Sequence, residues 1–175
     1  MNKTKQGLIQ VYTGNGKGKT TAAFGLAMRA AGHGQKTVII QFMKPKEGSG
    51  EVVAAKRLAP EITVYSFGRE GFVEKATPRD VSLAKEALDK AKECLALPDL
   101  DMLILDEINN ALYFQLVSLA EVLEFLVQKP AKIELVLTGR NAPKELLDAA
   151  DLVTCMEEIK HPYNFKLPKR EGIEY

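Results

Sequence analysis

The sequence predicts an α/β fold in which a mostly parallel sheet is covered by helices on both faces. Strand-like and helix-like segments alternate along the 175 residues, as they do in chains that build parallel sheets. The strand-like segments are short and almost continuously apolar, which is typical of strands buried on both faces. They are Leu8–Tyr12, Lys36–Phe42, Ile62–Phe67, Met102–Leu105, Ile133–Leu137 and Leu152–Met156.

The predicted helices lie between these strands and carry their own start and stop signals. An alanine-rich helix runs from Lys19 to Ala31 and stops at Gly32. Thr77 is the expected N-cap of a long helix, and Ser118 opens a capping box for a later one. The remaining helical segments are Glu51–Leu58, Leu119–Gln128 and a short one near Pro143.

The overall composition indicates a soluble protein with one domain over residues 1–175. Apolar residues make up 46% and charged residues 27% of the chain, as in ordinary globular proteins. The net charge of +1 argues against a nucleic-acid surface, and no apolar run approaches the length of a membrane span. The polar start leads into the first strand without a signal peptide. Cys94 and Cys155 are predicted to be buried thiols of a reducing cytosol, so we expect a cytoplasmic protein.

A glycine-rich segment, Gly14–Thr21, joins the first strand to the first helix and is typical of a phosphate-binding loop. Its glycines let backbone N–H groups approach an oligophosphate, Lys19 supplies positive charge, and the Thr20 hydroxyl can hold Mg²⁺. The usual spacing, G-x-x-x-x-G-K-S/T, would begin with a glycine where this chain has Thr13. The loop therefore predicts a nucleoside triphosphate bound in an unusual pose, on a three-layer RecA-like P-loop NTPase fold. A glycine-rich turn without a ligand is the alternative.

Further polar residues follow other strands at the same edge of the predicted sheet, where parallel sheets bind ligands. Asp106 and Glu107 end the fourth strand in a Walker B pattern and predict ligands for Mg²⁺ or Mn²⁺ opposite Thr20. Arg140, after the fifth strand, is either an anion clamp or a surface arginine at a turn. Arg29 either points at phosphate or forms a salt bridge along its helix.

Aromatic residues near the ends of the second and third strands have two possible roles. Phe42, Phe67 and Phe72 either floor a pocket for a large apolar ligand or belong to the core. His161 is either a general base or a packed or capping histidine. The sequence has no recognisable set of nucleophile and base, so we expect a nucleophile supplied by water or by a second substrate.

Several segments together resemble one family, the P-loop ATP:corrinoid adenosyltransferases of cobalamin biosynthesis and salvage. The segments are Tyr12–Gly25, Leu105–Asn109, Thr138–Pro143, Ala149–Thr154, Ile159–Tyr163 and Gly172–Tyr175. The resemblance implies transfer of the 5′-deoxyadenosyl group of ATP to a reduced corrinoid, with release of triphosphate. Cobalt(I) of the corrinoid would be the nucleophile that attacks the ribose C5′. It also implies that ATP lies reversed in the loop relative to ordinary ATPases.

The resemblance also implies roles for individual residues. The residues implied for ATP and corrinoid binding are Gly14, Asn15, Gly16, Lys17, Gly18, Lys19, Thr20, Thr21, Arg29, Phe67 and Phe72. Those implied for the metal are Thr20, Asp106 and Glu107, and those for catalysis are Lys19, Glu107 and Arg140. Aromatic residues after the third strand would lie under the corrin and displace its lower axial ligand.

Two features depart from the family's pattern. Many members carry a tryptophan near the position of Glu74, and this chain has none. The chain also starts too close to its first strand for the N-terminal segment that covers the partner's site in some members. Enclosure of the corrinoid is therefore expected either to be looser or to be provided by the loop Lys44–Gly50 or the tail Lys160–Tyr175. By analogy, we expect a homodimer and a flavoprotein reductant. The net charge and the lack of a long apolar run, noted above, predict no nucleic-acid or membrane partner.

Two other functions share the same phosphate loop. A small-molecule kinase would need arginines on a second phosphate acceptor, for which Arg69 and Arg140 are the candidates. A RecA-like regulatory ATPase would act on a protein partner. The released product separates the three hypotheses: triphosphate for adenosyl transfer, ADP with a phosphorylated acceptor for a kinase, and ADP with free phosphate for an ATPase.

Overall fold

Six strands form one sheet with every neighbouring pair parallel. The computed structural model describes residues 6–46, 49–71, 75–165, 167–168 and 170–173. The strands are Ile9–Thr13 (β1), Thr37–Phe42 (β2), Ile62–Phe67 (β3), Met102–Asp106 (β4), Glu134–Thr138 (β5) and Leu152–Cys155 (β6). Their order is β3-β2-β4-β5-β1-β6. The predicted α/β class is confirmed, with a sheet that is all parallel rather than mostly parallel over the described residues.

The helices cover both faces of this sheet and so form a three-layer architecture. They are Lys19–Ala31 (α1), Gly50–Lys56 (α2), Pro78–Leu95 (α3), Ile108–Tyr113 (α4), Leu119–Gln128 (α5) and Lys144–Asp148 (α6), with a 3₁₀ turn at Pro162–Phe165. One buried cluster combines sheet residues with α3, α4 and α5, and a second combines them with α1 and α2. Among the described helices, none is long and apolar enough to cross a membrane.

The central strands are apolar on both sides because both faces are covered. All six residues of β2 and all five of β4 are buried. The long helices begin as the sequence predicts, with complete capping boxes at Thr77 with Asp80 and at Ser118 with Glu121. Each box satisfies backbone N–H groups that have no partner within the helix. Local sequence therefore determines where α3 and α5 start.

Two details differ from the sequence predictions. Helix α4 was not expected, because it is short and contains Asn109 and Asn110, which favour helices only weakly. Cys94 is buried as predicted, but Cys155 is exposed. The reason is that β6 is an edge strand whose four residues are all exposed, so its apolar sequence does not mark a core position.

The register of the sheet brings polar residues side by side at its carboxyl edge. Gln41 at the end of β2 pairs with Asp106 of β4 on one side and with Ser66 of β3 on the other. Tyr12 of β1 pairs with Thr138 of β5. Strand β5 lies between β1, which leads into the phosphate loop, and β4, which ends in the acidic pair. The polar residues predicted at the strand ends therefore lie side by side at one edge of the sheet.

Candidate active site

The phosphate loop is held in shape by close packing against the chain that follows β6. Gly14 and Gly18 have φ angles of 92° and 118°, a backbone conformation that favours glycine. A Cβ atom at Gly14 would lie 2.4 Å from the Met156 carbonyl oxygen, and the Gly16 N–H donates to that same oxygen at 2.7 Å. The shifted glycine therefore has a packing reason: residue 14 contacts the end of β6 too closely for any side chain.

The lysine of the loop is folded inward. The Lys19 ammonium donates to the carbonyl oxygens of Gly14 and Gly16, both at 2.7 Å, and the residue is buried. Burial lowers the pKa of Lys19 below its ordinary value, while the charge of Glu107 opposes that shift. The positive charge is therefore positioned by the loop itself at the N-terminus of α1.

Asp106 is the centre of the site and accepts hydrogen bonds from four side chains. Its Oδ1 accepts from the hydroxyls of Thr20 at 2.9 Å and Thr138 at 2.7 Å. Its Oδ2 accepts from the Gln41 amide at 3.1 Å and the Lys44 ammonium at 2.7 Å. Burial of this fully enclosed carboxylate raises its pKa, but Lys44 and the hydroxyl donors outweigh that effect and hold the pKa below its usual value. Asp106 is therefore an ionised, fixed acceptor.

Two members of this network were not given a role by the sequence. Gln41 ends β2, and Ser66 of β3 holds its amide oxygen at 2.9 Å, so its amide N–H₂ is turned toward Asp106. Lys44 was named only as the first residue of the loop Lys44–Gly50, yet its ammonium reaches both Asp106 and the Thr20 hydroxyl. The strand register could have predicted the position of Gln41. Nothing in the local sequence predicts that Lys44 turns inward.

Glu107 is held in a strained turn beside Asp106. Its φ of 67° is unusual for a residue other than glycine, and such conformations cluster at functional turns. Its N–H donates to the Thr138 hydroxyl at 3.0 Å, and its side chain accepts from the Asn110 amide at 2.5 Å. Burial, together with the neighbouring charge of Asp106, raises the pKa of Glu107. The pKa of Asp106 is therefore lowered while the pKa of the adjacent Glu107 is raised.

Arg140 lies close to the same charges. It follows Gly139 after β5, its N–H donates to the Asn110 side-chain oxygen at 3.0 Å, and its side chain is exposed. The charges of Lys19, Lys44 and Arg140 all act on Glu107. Asn110 therefore connects Glu107 to the backbone of Arg140, a linking role that the sequence did not indicate.

Comparison with known proteins identifies the family of this chain. The model of the family "ATP:corrinoid adenosyltransferase BtuR/CobO/CobP" matches residues 5–175. The chain belongs to this family. Corrinoid adenosyltransferases from a Sinorhizobium species, Pseudomonas aeruginosa and Escherichia coli K12 are 42%, 36% and 36% identical to it. The alignments cover 98%, 99% and 98% of this chain and 81%, 86% and 87% of the relatives. The protein is therefore a transferase of the corrinoid adenosyltransferase family, which acts in cobalamin biosynthesis.

A solved structure supports the fold alone. The cytoplasmic domain of EssC superimposes on 94% of this adenosyltransferase-family chain with a TM-score of 0.53, at 15% sequence identity. The aligned part makes up 34% of that longer chain. At this identity the likeness shows a shared α/β architecture and carries no functional information.

Not every residue that the sequence predicted for the site lies in the phosphate loop or in the hydrogen-bonded network around Asp106. Arg29 lies in the last turn of α1, ten residues from Lys19 and therefore roughly 15 Å along the helix axis, so the structure does not bring it to the loop. Phe42 is fully buried in the core and cannot floor a pocket, and Phe67 is half-buried against that core. Phe72 lies outside the described residues. Lys17 is part of the loop, and its ammonium donates to the carbonyl oxygen of Ile173 at 3.0 Å.

The second candidate arginine for a kinase reaction is engaged elsewhere. Arg69 donates to the carboxylate of Asp80 at 2.8 Å and so anchors the loop after β3 to the first turn of α3. Of the two arginines that the sequence predicted for a phosphate acceptor, only Arg140 therefore lies near the charges of the phosphate loop. The observation weighs against a kinase with two arginines on a second phosphate.

The donor chemistry of the site fits Mg²⁺ when ATP is present. The Thr20 hydroxyl and the carboxylates of Asp106 and Glu107 are hard oxygen donors, which Mg²⁺ prefers. No group of three or more His, Cys, Asp or Glu residues in the described part of the chain could hold a metal ion by itself. Mg²⁺ usually binds through one or two carboxylates together with substrate phosphates. The site is therefore suited to a metal that arrives with a triphosphate.

Proposed function

We propose that this chain transfers the 5′-deoxyadenosyl group of ATP to the cobalt(I) centre of a reduced corrinoid and releases triphosphate. The observation that carries the proposal is the direct hydrogen bond between Thr20 of the phosphate loop and Asp106 at the end of β4. It joins the loop to the acidic pair in a chain that matches the corrinoid adenosyltransferases along residues 5–175. ATP and the corrinoid are the two substrates.

The protein would act mainly by positioning and by stabilising charge. The cobalt(I) electron pair forms the Co–C5′ bond while the C5′–O bond breaks, and the electrons of that bond leave on the triphosphate oxygen. Residues Gly14–Thr21 would bind the triphosphate through backbone N–H groups and through Lys19. Arg140 would add a second positive charge at the departing group. Fixed donors directed at developing charge are an effective source of rate enhancement.

The metal proposed for this site is Mg²⁺ or Mn²⁺, held by Thr20 and Glu107, with Asp106 bound directly or through water. When bound, it would neutralise charge on the triphosphate as that group leaves. Asp106 remains ionised at neutral pH because of its four donors, and it would orient Thr20. Glu107, whose pKa is raised, becomes a better ligand once a cation is beside it, because positive charge favours the carboxylate.

The remaining parts of the proposal rest on the family resemblance. Phe67 and Phe72 are proposed to lie under the corrin ring, where they would displace its lower axial ligand. A homodimer, a flavoprotein reductant and a cytoplasmic location, where ATP is supplied, complete the proposal.

The reaction is tested under anaerobic conditions with purified protein, Mg-ATP and chemically reduced cob(I)alamin. We expect the absorption spectrum to change to that of a light-sensitive alkylcobalamin, with triphosphate as the released product. ADP with a phosphorylated acceptor would instead indicate a kinase, and ADP with free phosphate an ATPase. Binding of ATP with no alkylcobalamin and no triphosphate would contradict the proposal.

A further inference from the structure

Lys44 holds a position that a metal ion would also need. Its ammonium lies 2.7 Å from Asp106 Oδ2 and 3.2 Å from the Thr20 hydroxyl oxygen. These oxygens belong to two of the three residues proposed to hold the metal. We propose that Lys44 is a built-in cation of the active site, which competes with the divalent metal and is displaced when the metal enters. This inference rests on the proposed metal-binding role of Thr20 and Asp106.

A divalent cation on the Thr20 hydroxyl and the Asp106 carboxylate would compete with the Lys44 ammonium for these oxygens. Mg²⁺ binds oxygen at about 2.0–2.1 Å, so an ion on the Thr20 hydroxyl and the Asp106 carboxylate would overlap the volume of the Lys44 ammonium. Even with a water molecule between the metal and Asp106, three positive charges would meet within a few ångströms in a buried setting, where repulsion is strong. Metal entry therefore requires the side chain of Lys44 to leave.

The backbone around Lys44 is built to direct this side chain inward. Met43, the residue before it, has a φ of 59°, so the chain turns sharply as it leaves β2. The Met43 N–H donates to the Phe67 carbonyl oxygen at 2.8 Å. A Cβ atom at Gly68 would lie 2.3 Å from the Lys44 backbone nitrogen, so a glycine is required for this close approach. The turn after β2 is thus packed directly on the end of β3.

Because the turn after β2 packs on the end of β3, replacing the Lys44 ammonium by a metal ion would affect more than the affinity for the metal. The loop after β3 begins at Gly68, and Phe67 is a residue proposed to face the corrin. Displacing the Lys44 side chain releases the contacts that tie the turn after β2 to Asp106 at the end of β4 and to Thr20 of the phosphate loop, while the same turn stays packed on the end of β3 through its backbone. Lys44 therefore links the arrival of the metal, and with it the triphosphate, to the segments proposed to lie beside the second substrate. It is a positioning residue rather than a catalytic one.

The first test measures Mn²⁺ binding by electron paramagnetic resonance in the presence of ATP, because the site is suited to a metal that arrives with a triphosphate. Lys44→Gln removes the competing charge and keeps a polar side chain of similar reach. We expect it to bind Mn²⁺ about tenfold more tightly than the wild type, a ratio typical of coupling between two bound groups. Lys46→Gln is the matched control, because it removes an exposed lysine from the same loop, and its affinity should equal that of the wild type.

The second test uses the wild-type protein, so that it does not depend on the folding of a variant. Reductive methylation followed by peptide mass spectrometry reports how accessible each lysine amine is. With ATP present, addition of saturating Mn²⁺ should increase the labelling rate of Lys44 several-fold relative to that of Lys46. An unchanged ratio would overturn the inference, because a displaced ammonium must become more accessible.

The outcomes separate this inference from the proposed function. If the wild type binds Mn²⁺ with ATP more tightly than the Asp106→Asn variant does, the metal role stands. Equal or weaker Mn²⁺ binding by Lys44→Gln would then overturn the competition alone. If neither protein binds Mn²⁺ at this position, with or without ATP, the inference and the proposed metal role both fail.

Discussion

At the scale of single residues, the site is a set of opposite charges held by hydrogen bonds from neutral side chains and from Lys44. Asp106 is ionised because four side chains donate to it, whereas Glu107 next to it is pushed toward its protonated form by burial and by Asp106 itself. Lys19 is buried against the carbonyl oxygens of its own loop. Such charges are arranged before substrate arrives, which is how electrostatic catalysis avoids reorganisation during the reaction.

The lysine of the phosphate loop is expected to be essential for transfer. Lys19→Ala removes the positive charge next to the triphosphate, so adenosyl transfer should fall by about a hundredfold or more. The measurement is the initial rate of alkylcobalamin formation, with circular dichroism to confirm that the variant is folded. Lys56→Ala, at an exposed position on α2, is the control. Near-normal turnover in Lys19→Ala would rule out the assigned role of the loop.

Asn110 is expected to act by positioning its neighbours. Its amide donates to Glu107, and its side-chain oxygen accepts from the Arg140 N–H. Asn110→Ala should lower the transfer rate about tenfold and raise the Mg²⁺ concentration needed for half-maximal rate, with about 1 kcal/mol lost in unfolding free energy. A stability loss of that size without any change in metal dependence would show a purely structural role.

At the scale of elements, the phosphate loop and the chain after β6 form one packed unit. From the sequence, the glycines of the loop are predicted to leave space for the phosphates of a ligand. The structure adds that Gly14 and Gly16 leave no room for a Cβ atom against the backbone of Met156 and Glu157. The same glycines therefore serve stability and ligand binding together, which links the last strand to the site.

This packing is tested by a pair of glycine substitutions. Gly14→Ala should destabilise the protein by about 1–3 kcal/mol, because φ is 92° and the new methyl group would collide with the Met156 carbonyl. Gly25→Ala is the matched control: apart from its chain neighbours and its own helix backbone, no atom lies within 4 Å of the added Cβ, and alanine favours the helix interior by about 0.5–1 kcal/mol. The free energy of unfolding is measured by urea denaturation, and equal changes of the same sign in the two variants would contradict the packing argument.

The start of α3 is expected to depend on pH through Asp80. The hydrogen bond from Arg69 lowers the pKa of this carboxyl, with further lowering by Thr77. A group with a depressed folded pKa stabilises the fold above its unfolded value, about 3.9 for Asp, and this stabilisation is lost as the pH falls through the folded value. The difference in unfolding free energy between the wild type and Asp80→Asn should therefore shrink below pH about 4. A difference independent of pH would show that Arg69 and Thr77 do not favour the charged form.

At the scale of the whole molecule, the parallel sheet is what gathers the site. The ends of β1, β2, β4 and β5 lie at one edge, so residues as far apart in sequence as Thr20 and Thr138 meet at Asp106. Sequence patterns predicted this convergence, because apolar strands, capping boxes and the phosphate loop are all local signals. Family membership then followed from motifs spread over the chain and was confirmed by the match to residues 5–175.

The sequence by itself determined the fold class, the starts of the long helices, the phosphate loop and the acidic pair, because each depends on neighbouring residues. Only the tertiary structure decided which strands are neighbours, and therefore that Gln41 and Ser66 support Asp106. It also decided that Lys44 turns into the site and that Arg29 does not reach it. These facts depend on register, on the handedness of one turn and on distance along a helix. None of them is encoded by the residue type at the position concerned.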